Sequence, residues 1–372
     1  MIDHENDVPR RQVLVRLTAL AVASLIGREA AFASVPEYPE LTTRAIPVKK
    51  PTEVLLVAIT LTPGGRLVAS GEHGVIIYSD NDGASWTQAQ VPVDLTLTCV
   101  RFATTKIGWA AGHAGVILKT EDGGENWIMQ LDGVAANRIT IEAAQAPSVQ
   151  NSPSPGAPLA LVRARHFATG GPSIPFLSMI VFSPRKMLAL GAYRLAMMTT
   201  DGGKSWQDWS LNIYYHLSCN IYDAVEANGI YYLVGEMGLV FSSTDGGKIF
   251  LPLASPAQVT FLGVLAAQDG SLLAFGVAGS VYRSQDSGKS WDVVQIGTQE
   301  DLPAGRVLSS GSIVLVCESG QIFESTDNGA SFTNVPNIAP QPFFDVEAAP
   351  NGSLIAVGAA GVTDISKSQL AS

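Results

Sequence analysis

Charge is scarce in this chain: only 15% of its 372 residues are Asp, Glu, Lys or Arg. Basic residues are the scarcer sign, 23 against 33 acidic ones, which leaves a net charge of −10. Phosphate backbones require clustered lysine and arginine, so nucleic acid is excluded as a partner. There are 3 cysteines, Cys99, Cys219 and Cys317, too few and too scattered for a disulfide framework or a zinc site. Buried free thiols are expected instead. Long apolar runs are missing as well. The run at 17–26 is too short to span a bilayer, and no later stretch is long enough either.

What the chain does contain is a repeated corner. Residues 199–206, Thr-Thr-Asp-Gly-Gly-Lys-Ser-Trp, read as a tight turn between two strands. Asp201 accepts N–H groups of its own turn, Gly203 takes positive φ, and Trp206 locks the corner onto apolar neighbours. The same pattern carries Asn81 with Trp86, Asp122 with Trp127, Asp245 with Phe250, Asp286 with Trp291 and Asp327 with Phe332. The closing aromatics are separated by 41, 79, 44, 41 and 41 residues. Upstream of each turn stands a Gly-x-x-Gly-like break, as at Gly71–Gly74 and Gly235–Gly238, and a seventh break at Gly358–Gly361 has no turn after it. Strand-sized apolar runs between such breaks, with a period of roughly 40 residues, predict an all-β fold: a seven-bladed β-propeller.

The long interval is an insertion rather than a lost blade. Its excess falls at about 130–174, where 135–145 and 159–168 read as helices around a Pro/Ser-rich loop at 147–158. A small helical hairpin standing on the ring between blades 2 and 3 is expected. Residues 41–48 are expected to form a strand that completes the last blade and removes two open sheet edges. Residues 1–33 read as an export signal, with Arg10-Arg11 ahead of the apolar run and Ala31-Phe32-Ala33 as a small-x-small cleavage site. The run Arg10-Arg11-Gln12-Val13-Leu14 resembles a twin-arginine motif, and an ordinary secretory leader is the alternative. Residues 34–372 then form one exported propeller domain, expected in the periplasm or an equivalent lumen, as a monomer.

The motif Ser/Thr-x-Asp-x-Gly-x-Ser/Thr-Trp, complete at Thr199–Trp206 and Ser284–Trp291, resembles the Asp-box (BNR) repeat propellers. With the Gly-x-x-Gly runs, the chain looks most like the photosystem II stability/assembly factor family and its bacterial relatives, over roughly residues 50–366. The resemblance implies seven blades and an envelope or lumenal protein that holds a subunit while a membrane complex assembles.

Strand direction alternates within a blade, so the Gly-break turns and the links between blades share one face. The Asp turns lie on the other. Repeated at one local position, the box residues are turn formers rather than catalysts. The Gly-break face collects Glu72, His73, His113, Tyr193, Arg194, Glu236, Met237 and Glu318, beside Arg163, Arg165 and His166 of the insertion. This is the candidate partner face, for a subunit of a membrane or envelope complex. His73 and His113 have no evident third ligand, so neither a metal nor another cofactor is expected.

Asp boxes also occur in sialidases, whose Tyr/Glu pair and three arginines act on a bound sugar. Arg44-Ala45-Ile46-Pro47 only approximates their Arg-Ile-Pro motif, and Arg66, Arg185 and Arg283 fall on the Asp-turn face. Tyr193 with Glu236 is the remaining imitation of such a pair. A non-catalytic scaffold or assembly factor is therefore the preferred reading. A glycosidase or carbohydrate-binding propeller is the alternative, and an accessory of a membrane transporter the third. Arginines and carboxylates clustered in a deep central pocket would favour the glycosidase.

Overall fold

A computed structural model describes residues 38–370, Asn337 excepted. The expected export signal lies outside these residues. Seven antiparallel sheets follow one another along the chain, each a meander in sequence order. Blade 5 is representative, with strands Phe261–Ala266, Leu272–Gly276, Val281–Ser284 and Asp292–Val293. The innermost strands are Leu56–Leu61, Leu97–Phe102, Phe176–Val181, Ile221–Ala227, Phe261–Ala266, Ala304–Val307 and Phe343–Ala348. Each touches the next around the axis, and the last touches the first, so the ring is closed. The second strands, such as Leu67–Gly71, Met187–Gly191 and Leu354–Gly358, are buried along their whole length. A strand packed between two neighbouring blades has no wet face, which is why these segments read as unbroken apolar runs rather than alternating ones.

The predicted corners form as expected, and the residue that opens each box has a larger part than the sequence suggested. The Thr199 hydroxyl donates to Asp201 Oδ1 at 3.0 Å and accepts the N–H of Gly203 at 2.9 Å. Asp201 Oδ1 accepts the Ser205 N–H, and its Oδ2 accepts the Ser205 hydroxyl. All six boxes share the hydroxyl-to-glycine bond. Trp86, Trp127 and Trp291 donate their indole N–H to the box glycine carbonyl. Blade 4 closes with Phe250, which has no such donor. Trp209, at the end of blade 3, supplies it instead, donating to Gly247 O at 2.9 Å.

Two expectations need correction. Residues 41–48 form no strand, and among the described residues blade 7 has three strands. The Ala45 and Val48 N–H groups bond to Val91 O and to the Gln88 side chain, beside the outer strand of blade 1. Blade 7 is met only farther on, where Val362 N–H donates to Thr52 O at 2.9 Å. The seam is held instead by side chains of the innermost strands: Asp345 accepts the Ile59 N–H and Glu347 accepts the Leu61 N–H.

The insertion is helical but does not stand clear of the ring. Helices α1 (Gly133–Gln145) and α3 (Ala160–Ala168) pack as a hairpin, with the short α2 (Pro147–Gln150) between them. Asp132 caps α1 by accepting the Ala135 N–H. Ala135 and Ile139 of α1 join a cluster that includes Trp206, so the hairpin is laid against the outer part of blade 3. The three cysteines are free and buried, as expected, and burial pushes Cys99 up to about 11 and Cys219 up to about 12.

Candidate functional site

Meander topology places the Gly-break turns, the blade links and the insertion on one face, and the Asp turns on the opposite face. The Asp-turn face is built of ties between blades. Arg66 donates to Gly123 O, Lys186 to Gly246 O and Arg283 to Asn328 O, each time reaching the same carbonyl of the next blade's box. Arg66 and Arg283 also pair with Asp80 and Asp269. Hydrogen bonds to their own turns, from Ser205, Ser290 and Ser331 first, hold Asp201, Asp286 and Asp327 down at about 2.

The other face is shaped by an unusual backbone. At the third position of the break, His73, Ala114, Tyr193, Met237 and Ala278 all lie at φ between 53° and 55°. A left-handed residue there turns its side chain out of the blade, at the cost that L-residues bear in this region. His73 and Met237 are exposed, as is Tyr193, whose ring lies 5.0 Å from that of Phe167 of the insertion. His73 Nδ1 meets Asp94 at 2.9 Å. Glu236 is half-buried and accepts both the backbone and side-chain N–H groups of Asn220. Glu72 and Glu318 are half-buried, and so is His113, whose burial lowers its pKa. Arg165 and His166 are exposed on α3, while Arg163 is half-buried and donates to Gly156 O. Among the described residues no group of three or more His, Cys, Asp or Glu could hold a metal ion.

Arg194 departs from its expected place on the exposed rim. It is 1% exposed. The fourth position of the break is otherwise glycine at positive φ, as at Gly74, Gly115, Gly238 and Gly279; Arg194 holds it at φ 65°. A Cβ on Gly238 would stand 1.7 Å from Ala257 O of the following link, and on Gly279 2.1 Å from Thr298 O. The backbone bond to the following link is kept in blade 3, where Arg194 N–H donates to Cys219 O as Gly74 N–H does to Leu95 O and Gly279 N–H to Glu300 O, and the guanidinium donates to Tyr215 O. The residue's irregularity is visible in the sequence. Its burial is not, because the insertion and the link that cover it are irregular too.

Charges in the central channel escaped sequence reasoning altogether. A cavity of about 160 Å3 on the axis is lined by the innermost strands, with Arg101, Asp223, Arg306 and Asp345 among its residues. The carboxylates are engaged. Asp223 accepts the Val264 N–H of the next blade, just as Asp345 accepts that of Ile59. Arg306 lies 3.6 Å from Asp345 and 3.3 Å from Glu347. Burial raises the Asp223 pKa against the opposing pull of Arg101. An acid in the middle of an inner strand looks anomalous in sequence, and only ring closure supplies the neighbouring N–H that satisfies it.

The family model for the photosynthesis system II assembly factor YCF48 matches residues 175–331. A solved structure of YCF48 bound to a D1 peptide is similar, with a TM-score of 0.62 and 14% identity, over 85% of this chain and 95% of that one. YCF48 from Cyanidioschyzon merolae matches with a TM-score of 0.61 and 13% identity, over 86% of this chain and 97% of the other. The Niastella koreensis GH74 enzyme also shares the fold, at a TM-score of 0.58 and 16% identity, with 84% of this chain covering 43% of the enzyme. No curated protein matches the chain in sequence. Repeat and ring make this chain a seven-bladed Asp-box β-propeller, similar over residues 175–331 to the YCF48 assembly-factor family.

Proposed function

We propose that the protein is a non-catalytic, exported assembly factor or scaffold that holds a segment of a membrane- or envelope-complex subunit on its Gly-break face. The observation that carries this reading is where large apolar side chains are left in water. Tyr193 and Met237 project from the break turns of blades 3 and 4, Leu217 from the link between those blades, and Leu159 and Val162 from the insertion. Apolar side chains grouped on one sector of a polar surface mark a protein-binding patch. The YCF48 structure with a bound D1 peptide supports the same reading, since a propeller of similar fold there holds a peptide. Export rests on the leader-like residues 1–33, and fractionation of cells expressing the full chain tests it.

A photo-crosslinking residue placed at Met237 or Val162, in cells, should capture one defined envelope protein. The same residue at Lys204 on the Asp-turn face should not. Equal capture from both faces, or from neither, would overturn the assignment.

A glycosidase is the second reading, favoured by the GH74 similarity and by the arginines and acids of the channel. Those carboxylates are bound to backbone N–H groups and to Arg306, which leaves no acid/base pair free to flank a sugar. Release of reducing sugar from a polysaccharide panel, abolished by Asp223→Asn, would restore it.

A further inference from the structure

The charges of the axial cavity are not all used up by the ring. Arg306 is held between Asp345 and Glu347, and Asp345 also ties the seam. That leaves one lining group of each sign: Arg101 on the innermost strand of blade 2 and Asp223 on that of blade 4. Both are half-buried, with surface left open to the cavity. Neither enters an ion pair among the described residues. Arg101 donates to Val100 O of its own strand at 2.9 Å and makes no other hydrogen bond there. The Asp223 carboxylate accepts the Val264 N–H at 3.1 Å and, at the limit of a hydrogen bond, the Ser178 hydroxyl at 3.5 Å. A carboxylate has about four acceptor sites, so places remain. Burial pushes the Asp223 pKa up and Arg101 pulls it back, so the two charges feel each other without touching. Strand register sets their spacing. Cys99 and Asp223 hold the same place after the bulge, opposite Ala111 and Val234, so Arg101 stands two residues farther along the axis, roughly 7 Å.

We propose that the axial cavity binds a small neutral α-amino acid as its zwitterion, with the ammonium on Asp223 and the carboxylate on Arg101. The ends of such a ligand have opposite sign and lie close together, and a hydrogen bond at each end bridges a gap of this length. A guanidinium fork suits a planar carboxylate, and an ammonium brings three donors to the acceptor sites left on Asp223. Size agrees as well. The cavity measures about 160 Å3, and one of ~150 Å3 holds benzene, a ligand of about six non-hydrogen atoms. Alanine and serine are of that size. Ala224, Val225 and Leu265 in the wall offer apolar surface to a short side chain. A charged side chain would bring a charge that nothing free in the cavity matches. The site uses neither Met237 nor Val162, so it stands or falls separately from the partner face.

The test is equilibrium dialysis of the full chain against labelled alanine and labelled serine. Binding should saturate at one equivalent per chain. Unlabelled glycine should compete, whereas acetate and methylamine, which carry one end each, and glutamate, which carries an extra charge, should not. Arg101→Gln removes a charge but no bond between blades, and should weaken binding at least about tenfold, the loss of one charge-assisted contact. Asp223→Asn should do the same, since its amide oxygen still accepts the Val264 N–H while the charge is gone. Ala304→Leu, which fills part of the cavity and leaves every charge in place, should abolish binding. A cooperative thermal melt checks that each variant is folded, and Arg101→Gln decides the matter if Asp223→Asn is not. No saturable binding of either labelled amino acid to the wild type would overturn the proposal. So would competition by acetate as strong as that by glycine, or unchanged affinity in Arg101→Gln.

Discussion

The carboxylate of Asp345 accepts the backbone N–H of Ile59 at 2.9 Å, joining residues 286 positions apart at the seam of the ring. Asp223 makes the same bond to Val264 within the chain. One device, an acid on an innermost strand reaching the N–H of the next, thus serves both an ordinary junction and the one that closes the circle.

Asp345→Ala should therefore destabilise the whole ring rather than one blade. It leaves the buried Ile59 N–H without an acceptor and removes a partner of Arg306, for a loss of about 2–3 kcal/mol. Urea denaturation gives the measurement, and hydrogen exchange should show blades 1 and 7 opening first. An effect confined to blade 7 would show that the seam is held elsewhere.

Trp209 acts across a blade boundary. Trp209→Phe keeps the ring and deletes only the donor to Gly247 O, so a loss of about 1 kcal/mol is expected. Combined with Phe250→Trp, which returns a donor to blade 4's own corner, the loss should shrink. A double-mutant cycle on unfolding free energies measures the coupling.

Acid should act mainly through the boxes. Asp201, Asp286 and Asp327 titrate at about 2 in the folded protein, below the ordinary aspartate value. A depressed folded pKa means their contribution is complete above about pH 4 and is lost as pH falls through about 2. Replacing all three by Asn should flatten stability between those limits and preserve the turns. Blade 1 already shows the amide in place, with Asn81 accepting from Ser79 and Ser85 and donating to the Ser85 hydroxyl. An unchanged acid limb would assign the titration to other carboxylates.

For the partner face, the informative variants are surface ones. Removing the insertion outright would uncover Arg194 and the cluster around Trp206, so loss of binding could not be separated from damage to blade 3. Val162→Glu with Met237→Glu changes only exposed positions and should lower partner recovery at least tenfold with little change in melting temperature. Lys204→Glu on the opposite face should leave recovery at the wild-type level.

Much of this molecule is readable from its sequence for a physical reason. A box such as Thr199–Trp206 is satisfied within a few residues, so local spacing is enough to reveal it. Repetition then counts the blades, and the one long interval locates the insertion. What stays hidden depends on which segments meet after the ring forms. Asp345 and Glu347 find N–H groups from the far end of the chain, Trp209 serves a carbonyl in the next blade, and Arg194 is covered by a hairpin of no fixed pattern. The expected closing strand at 41–48 failed on the same ground, because its bonding partners lie in blade 1 and nothing nearby in sequence says so.

Among the described residues, blade 7 stops at three strands and borrows none from residues 38–55, while blade 1 is complete within residues 56–88. Every sector of the circle is thus encoded by one uninterrupted stretch of gene. Tandem duplication or excision of a 41-residue module would insert or remove a whole wedge without unpicking a shared sheet. The circumference of such a protein is open to change in evolution, and in the laboratory, by splicing.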